Sequence, residues 1–331
     1  MKRWYIRVFL VGLAVFLFPF RSPAPLVYRP GEGFSYESPT GKEVEWRKLR
    51  AKDQLDVAQA AFDKKDYKLA MKAAQRVVTI WPLSDSAPQG LYLLGRCYEQ
   101  RRQDQKAFTA YDQLLDKYPK MPNAAEIQGR QFEIANRFLA GEWIKILGYI
   151  PFFPSMDKAA EMYGDIVRFG PYGPYGPAAQ MNIGAAREKQ KDYPLAVQAY
   201  EVAADRYSAQ SEVAATALFK AAQAYDKQAR KADYDQSAAS QAISSFNDFM
   251  ALYPNDPRVA EAEKVIASLK LEQARGDFSI AQYYEKSRRW SAAQIYYNQV
   301  YDQLRLVAPD SPLADQARRR IADIKARHPG N

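Results

Sequence analysis

LYLLGRCYEQRRQDQKAFTAYDQLLDKYP, residues 91–119, contains two short amphipathic helical patterns that meet at a polar turn around Asp104. The small residues Gly95 and Ala107 lie where two antiparallel helices would approach each other closely. Pro119 ends the second helix, because a proline inside a helix loses a hydrogen bond and clashes with the preceding turn. A single hairpin of this kind cannot bury its apolar face alone, so the stretch predicts that the pattern recurs.

The second-helix half of the pattern recurs along the chain, usually with an aromatic residue four positions after an alanine and a proline twelve after it. The alanine stands at Ala70, Ala107, Ala159, Ala196, Ala242 and Ala293. In four repeats a small residue lies twelve positions before it, at Ala58, Gly95, Gly184 and Ala281. In the other two repeats an insertion lengthens the turn. A generic amphipathic bundle, the alternative, would not share one internal spacing in six places.

These offsets resemble the tetratricopeptide-repeat (TPR) signature W-x2-L-G-x2-Y…A-x3-F…P, with Leu91 in the Trp place and Tyr111 in the Phe place. The sequence therefore predicts an all-α, TPR-type α-solenoid, a right-handed superhelix of about six helix pairs with a C-terminal capping helix. We expect a signal peptide or N-terminal anchor over 1–24, an extended linker over 25–42 and the solenoid domain over 43–327.

Helix starts can be read where a capping residue stands beside a proline. Ser311 and Pro312 mark the start of the capping helix, and Asp85 or Ser86 is a candidate N-cap in the second repeat, with Pro88 just inside the helix. In the sixth repeat we predict a helix over about 257–274, followed by a separate first helix that opens at Phe278.

The net charge of +9 is concentrated at the two ends of the chain. Residues 51–312 contain 33 basic and 32 acidic residues. A nucleic-acid-binding surface would show a basic stripe, so we expect no nucleic-acid partner. One cysteine, Cys97, predicted to be buried, and one histidine, His328, cannot form a zinc cluster.

The sequence contains none of the common catalytic motifs. There is no phosphate-binding glycine loop, nucleophile elbow or paired-histidine motif. Ser155 and Lys158 have the S-x-x-K spacing of penicillin-binding enzymes, but the companion motifs are missing and Ser155 stands at a predicted helix start. The sequence therefore predicts a non-enzymatic protein without a cofactor.

The N-terminus combines a basic segment, MKRWYIR, with an apolar run of 13 residues, Val8–Phe20. This length suits an export signal better than a membrane span, so we expect export from the cytoplasm. Ser22 and Ala24 could precede a cleavage site, whereas Pro25 would hinder cleavage, so removal and retention as an anchor are both open. No cysteine follows the apolar run, so the sequence offers no site for lipid modification there.

An apolar insertion separates the helices of the third repeat, and residues 143–153 contain a single charge. It either folds back on its own repeat or forms a docking or membrane-facing element. In the second case the contact residues are Trp143, Ile144, Ile146, Leu147, Tyr149, Phe152 and Phe153. The final helix contains Arg318, Arg319 and Arg320, which form either a solvated capping face or a patch for a partner or anionic lipid.

In a stack of helix pairs the first helix of each pair lines a concave groove, and helical spacing identifies the residues that face it. The predicted peptide groove consists of Leu55, Gln59, Phe62, Tyr92, Arg96, Phe132, Asn136 and Leu139. Glu99, Met181 and Glu188 fall on the same face. Aromatic and apolar side chains beside amide and guanidinium groups suit an extended peptide. We expect about a third of these residues to pack between repeats instead.

An exported chain of TPR units resembles the BamD family, the TPR lipoproteins of the outer-membrane β-barrel assembly machinery. The most similar segments are FEIANRFLAGEW (132–143), YPLAVQAYEVAADRY (193–207) and FSIAQYYEKSRRWSAAQIYYNQV (278–300), and the resemblance spans roughly 50–327. It implies a periplasmic scaffold associated with the outer membrane. Such a scaffold would bind the barrel-forming subunit's periplasmic domains through its C-terminal repeats, and unfolded outer-membrane protein segments through its N-terminal groove.

The chain departs from this family in two respects: it has no lipobox cysteine, and its insertion at 143–153 is longer than a minimal repeat needs. The mode of membrane anchoring is therefore open, through the N-terminus or through the insertion. Two other functions are also open: a periplasmic TPR adaptor for cell-envelope division or trafficking, and an enzyme-associated or cell-surface scaffold bound through 143–153.

Overall fold

The computed structural model describes residues 26–29, 33–36, 46–141, 143–146, 150–154, 156–231 and 235–328. The predicted all-α, TPR-type fold is confirmed: these residues form thirteen helices, largely in antiparallel pairs, together with two short β-hairpins. The chain divides into two compact units, Met1–Ala124 and Ala125–Asn331. The predicted export segment, 1–24, lies outside the described residues.

The first unit contains one β-hairpin and two helix pairs. Strands β1 (Leu26–Arg29) and β2 (Gly33–Tyr36) pair antiparallel within the segment predicted to be a linker. The helices are α1 (Ala51–Asp63), α2 (Tyr67–Ile80), α3 (Ser86–Gln100) and α4 (Asp104–Lys117). Helix α1 packs against α2, and α3 packs against α4 as well as against both helices of the preceding pair.

The second unit contains the remaining repeats. Helix α5 (Ala124–Leu139) begins at the unit boundary and is followed by the antiparallel strands β3 (Trp143–Ile146) and β4 (Ile150–Pro154). The helices that follow are α6 (Met156–Phe169), α7 (Gly176–Lys189), α8 (Tyr193–Arg206), α9 (Ser211–Lys231), α10 (Gln236–Leu252), α11 (Val259–Lys286), α12 (Trp290–Leu304) and α13 (Pro312–Arg327).

Helix α11 differs from the sequence prediction of two separate helices in the sixth repeat. It is a single helix of 28 residues, so the predicted end near residue 274 is wrong. No proline interrupts its range, and Gly276 costs only about 1 kcal/mol relative to alanine in a helix interior. Buried side chains occur along its length, from Ala262 and Ile266 to Phe278 and Ala281, and their packing outweighs that cost.

The turns inside four of the described repeats use a basic residue in the left-handed backbone conformation: Lys65, Arg102, Lys191 and Arg288, with φ between 54° and 60°. At Lys191 the backbone N–H donates to the Glu188 carbonyl (2.9 Å), and the next N–H, of Asp192, donates to Arg187 (3.0 Å). These bonds satisfy carbonyls at the helix end in the manner usually provided by glycine. The Asp192 side chain then accepts from the Leu195 N–H and caps α8.

Tyrosines at the ends of second helices connect successive repeats. The Tyr118 hydroxyl donates to the Pro82 carbonyl (2.6 Å) in the first unit, and the Tyr207 hydroxyl donates to the Pro171 carbonyl (2.7 Å) in the second. Both bonds span 36 residues, so each one sets the register between a repeat and its predecessor within its unit.

Helix α13 covers the end of the second unit's apolar core, as the predicted capping helix requires. Ala317 and Ile324 pack in one cluster with Tyr297 and Val300. The Ser311 hydroxyl accepts from the Leu313 N–H and caps the helix. In the first unit Asp85 occupies the N-cap position of α3 without a side-chain capping bond. Cys97 is fully buried, as predicted, and burial raises the pKa of its thiol to about 11.

Candidate functional site

In the second and fourth repeats the first helix is oriented by a glycine that accepts an aromatic ring from the second helix. A Cβ at Gly95 would lie 2.4 Å from Cε1 of Tyr111, and a Cβ at Gly184 would lie 2.4 Å from Cε1 of Tyr200. Both tyrosines are buried. The contact fixes which side of α3 and α7 faces its partner helix, and therefore which side remains available for a ligand.

In the fourth and sixth repeats a glutamate of the first helix accepts a hydrogen bond from a tyrosine of the second helix. The Tyr200 hydroxyl donates to Glu188 Oε2 (3.0 Å), and the Tyr297 hydroxyl donates to Glu285 Oε2 (2.6 Å). Burial, with the glutamate alongside, raises the pKa of both tyrosines above the ordinary value. This pairing was not predicted from the sequence, although its signal is present: a glutamate stands twelve residues before the tyrosine at 188/200 and 285/297, and the same spacing occurs at 99/111.

In the first unit the structure brings together three predicted groove residues, Phe62, Tyr92 and Arg96. The Arg96 guanidinium lies 5.5 Å from the Phe62 ring centroid and 5.8 Å from that of Tyr92. Its Nη1 donates to the Tyr92 hydroxyl (3.2 Å), and its Nε lies 3.9 Å from Glu99 Oε2. This aromatic–arginine cluster presents two ring faces and a partly exposed cation on one surface.

The other two predicted groove residues of this unit occupy earlier turns of α1. Leu55 is half-buried. Gln59 is exposed, and its amide donates to Asp63 Oδ1 on the same helix (2.8 Å). Gln59 thus has a hydrogen-bond partner on its own helix. Of the predicted groove residues on α1, Phe62 alone belongs to the aromatic–arginine cluster.

A cleft of about 720 Å³ adjoins the cluster on the side of Tyr92. Its lining includes Tyr92, Pro88 and Tyr118, with Met121 and Asn123 from the segment after α4. The Asn123 Oδ1 atom is buried and has no hydrogen-bond partner among the described residues. A cleft of this size with mostly apolar walls, the Asp85 carboxyl group and an unpartnered amide oxygen can receive a large side chain.

In the second unit the predicted groove residues make contacts within the repeat stack. The Phe132 ring lies 5.7 Å from that of Tyr163 and 5.4 Å from that of Tyr175. Asn136 Oδ1 accepts from the Tyr163 hydroxyl (2.6 Å) and from Asn182 Nδ2 at 3.5 Å. Burial raises the pKa of Tyr163 to about 12. Phe132 and Asn136 therefore join helices α5, α6 and α7.

Leu139, the last predicted groove residue, is half-buried at the end of α5, and its carbonyl accepts from Lys189 Nζ (2.7 Å). The contact residues predicted in the insertion fall on the β3–β4 hairpin. Its strands contain Trp143, Ile144, Ile146, Phe152 and Phe153, whereas Leu147 and Tyr149 lie outside the described residues. Trp143 is opposite Pro154, and the register shifts between Ile144 and Lys145.

The three arginines of α13 are exposed, as both interpretations of them require. Arg318 pairs with Asp315 (3.4 Å), and Arg320 pairs with Glu285 on α11 (3.3 Å). These two contacts balance part of the charge with acids of the same unit. Arg320 also reaches the carboxylate that binds Tyr297, so it connects the capping helix to the sixth repeat.

The part of the chain that the structure describes contains neither a candidate metal site nor a candidate membrane span. Within that part of the chain, no group of three or more His, Cys, Asp or Glu side chains could hold a metal ion. No helix there is both long enough and apolar enough to cross a membrane.

The repeats, their small-residue packing and the exposed first-helix faces define a TPR protein, a class of protein-interaction scaffold. A family model described as "Tetratricopeptide repeat" matches residues 89–120. A second model, YfiO, described as "Outer membrane lipoprotein", matches residues 155–306, just under half of the chain. The resemblance inferred from the sequence is thereby confirmed: the chain is a BamD-like TPR protein.

The solved structures that match this chain are distant in sequence. MamA from Desulfovibrio magneticus is 14% identical over 63% of this chain and 98% of its own, with a TM-score of 0.30. A TPR protein from Parabacteroides merdae is 12% identical over 82% and 98%, with a TM-score of 0.32. YrrB, described as a TPR protein with an unusual peptide-binding site, is 13% identical over 69% and 98%, with a TM-score of 0.33. No curated protein matches the chain.

Proposed function

We propose that this chain is a non-enzymatic periplasmic scaffold of the outer-membrane β-barrel assembly machinery. The observation that carries the proposal is the match of residues 155–306 to the outer-membrane lipoprotein family. In this role the chain binds the periplasmic domains of the barrel-forming subunit and segments of unfolded outer-membrane proteins. It is exported and associated with the outer membrane, through its N-terminus or through the insertion at 143–153.

The aromatic–arginine cluster supports peptide binding in the first unit. The Arg96 side chain is 28% exposed, and its buried Nε lies 3.9 Å from Glu99 Oε2. A peptide carboxylate that reaches the exposed part of the guanidinium group can form a short, charge-assisted bond there. The cleft beside Tyr92 accepts an aromatic side chain of the same peptide. The proposed ligand of this groove is therefore an extended segment with an aromatic residue next to a carboxylate.

Co-purification tests the assembly role. The tagged full chain is isolated from solubilised envelopes of its native cell, and the bound proteins are identified by mass spectrometry. We expect the barrel-forming subunit among them, and an untagged strain as control should yield none. If no barrel-assembly subunit is recovered, the assembly role is wrong, and a periplasmic adaptor for envelope division or trafficking becomes the better hypothesis.

Peptide binding can be measured separately by fluorescence anisotropy with a labelled decapeptide that ends in phenylalanine. Losing a hydrogen bond to a charged group costs about 1.5–3 kcal/mol, so Arg96→Gln should weaken binding about 10- to 100-fold. Arg101→Gln is the matched control, because this exposed arginine follows the same helix outside the cluster. Equal affinities for the two variants would contradict the groove assignment.

The double variant Phe62→Ala with Tyr92→Ala tests the aromatic part of the same surface. Both side chains are half-buried, and the fold of the first unit depends mainly on other, fully buried residues. Binding of the phenylalanine-ended peptide should weaken while the helix content, measured by circular dichroism, stays unchanged. Unchanged affinity would show that the peptide binds elsewhere.

A further inference from the structure

A second cleft, of about 570 Å³, lies in the second unit between helices α6, α7 and the end of α8. We call it the arginine cleft. Its lining includes Val167, Arg168, Pro171, Tyr172, Gln180 and Arg206. The lining contains two guanidinium groups and no carboxylate, and it shares no residue with the predicted peptide groove.

Arg206 is held at this cleft by a buried amide. Its Nη1 donates to Gln180 Oε1 (3.2 Å), and Gln180 Nε2 donates in turn to the Ala199 carbonyl (3.1 Å). Gln180 is only 5% exposed, so its amide has a fixed orientation. No carboxylate in the described part of the chain lies within ion-pair distance of Arg206. Its positive charge is thus positioned by the fold and not neutralised by it.

Arg168, on α6, provides the second cation of the cleft. Its side chain is half-exposed, pairs with Asp165 (3.1 Å) and lies over the Phe169 ring, with the guanidinium carbon 4.1 Å from the centroid. Asp165 does not line the cleft. The Phe169 ring and Asp165 limit the conformations of the Arg168 side chain. Less side-chain conformational entropy is therefore lost when an anion binds.

The mouth of the cleft is formed by the tight loop 170–176. The Gly173 N–H donates to the Gly170 carbonyl (3.1 Å), and a Cβ at Gly176 would lie 2.1 Å from the Pro171 carbonyl oxygen, so only glycine fits there. The Tyr172 ring packs edge-on against Tyr207 and is 74% exposed. An exposed aromatic face is therefore fixed next to the two guanidinium groups.

We propose that the arginine cleft binds an acidic peptide segment. A glutamate or aspartate carboxylate lies between Arg206 and Arg168, and a neighbouring apolar or aromatic side chain packs against Tyr172, Pro171 and Val167. Charge complementarity favours this occupant, because guanidinium groups bind carboxylates with paired hydrogen bonds. The volume and the apolar walls favour a peptide over a free phosphate ion, which would leave those walls without contact.

The test uses the full chain and a labelled hexapeptide, Gly-Glu-Tyr-Glu-Phe-Gly, blocked at both ends so that no terminal carboxylate is present. Anisotropy titrations compare it with the same peptide containing Gln in place of both Glu residues. We expect the Glu peptide to bind about tenfold more tightly than the Gln peptide at low salt. Equal affinity of the two peptides would overturn the proposal.

Three variants locate the binding. Arg206→Gln should weaken binding of the Glu peptide about tenfold. Arg206→Lys should weaken binding less, because lysine keeps the positive charge but lacks the paired N–H donors of the guanidinium group. Arg230→Gln, which removes an exposed helix arginine of the same unit, should leave the affinity unchanged. An Arg206→Gln variant that keeps wild-type affinity and a wild-type circular dichroism spectrum would overturn the proposal.

Two further arms separate other sources of binding. Arg96→Gln should not alter binding of the Glu peptide, so failure of the groove proposed above and failure of this cleft can be told apart. Inorganic phosphate at a concentration of about 10 mM should displace the peptide only weakly at constant ionic strength. Complete displacement by phosphate at that concentration would show an inorganic anion site and would contradict the peptide assignment.

Discussion

Replacing Gly184 by alanine tests the glycine–tyrosine packing that the second and fourth repeats share. The new methyl carbon would lie 2.4 Å from Cε1 and 2.6 Å from Cζ of Tyr200. The ring cannot withdraw easily, because it is buried and its hydroxyl is bonded to Glu188. Overpacking of this kind costs about 1–3 kcal/mol, and a displaced ring would also lose a bond to a charged group worth about 1.5–3 kcal/mol.

The higher helix propensity of alanine offsets about 1 kcal/mol of this cost, so we expect a net loss of about 1.5–5 kcal/mol in the free energy of unfolding. Urea denaturation followed by circular dichroism measures it. Gly164→Ala is the matched control, because no atom lies within 4 Å of its Cβ position on α6. That variant should gain up to about 1 kcal/mol from helix propensity. If Gly184→Ala is as stable as Gly164→Ala, the packing argument is refuted.

Three other predictions concern the second unit. Lys191→Gly should raise the free energy of unfolding by about 1 kcal/mol, because glycine adopts the left-handed conformation without the side-chain penalty; a loss of stability in urea would contradict it. Tyr207→Phe should cost about 1 kcal/mol, because the Pro171 carbonyl loses its donor, and an unchanged denaturation midpoint would count against the inter-repeat role of that bond. The hydrogen bond from Arg258 lowers the pKa of Asp256 below its ordinary value of 3.8, so this carboxylate stabilises the fold above that pH. Stability should therefore fall as the pH drops below about 4, and Asp256→Asn should be less sensitive to acid; the same acid sensitivity in both proteins would contradict the assignment.

Much of the fold could be predicted because TPR packing depends on local steric complementarity. A glycine or alanine twelve residues before a second alanine leaves space for one aromatic ring. In the structure the Tyr111 ring occupies this space beside Gly95. The left-handed turns could not be predicted from residue type, because lysine and arginine have no preference for that conformation. The continuous helix α11 was also missed, since the repeat pattern suggested a boundary that the packing of Ala274 and Phe278 removes.

The candidate sites could be predicted only in part from the sequence. Helical spacing put Tyr92 and Arg96 on one face, and the structure adds their contact with Phe62. Asn136 was predicted to face a ligand, whereas its oxygen accepts a hydrogen bond from the Tyr163 hydroxyl inside the repeat stack. The arginine cleft has no sequence signature, since its lining comes from three helices and a loop with no shared period.

Site-specific photo-crosslinking at position 92 in native cells tests the central claim most directly. Benzoylphenylalanine in place of Tyr92 lies between Arg96 and the adjoining cleft, whereas the same probe in place of Leu83, which is 98% exposed in the same unit, lies on open surface. The account predicts crosslinks from position 92 to unfolded segments of outer-membrane β-barrel proteins, reduced by Arg96→Gln and not seen from position 83. An absence of such crosslinks at position 92, or equal yields at both positions, would contradict it.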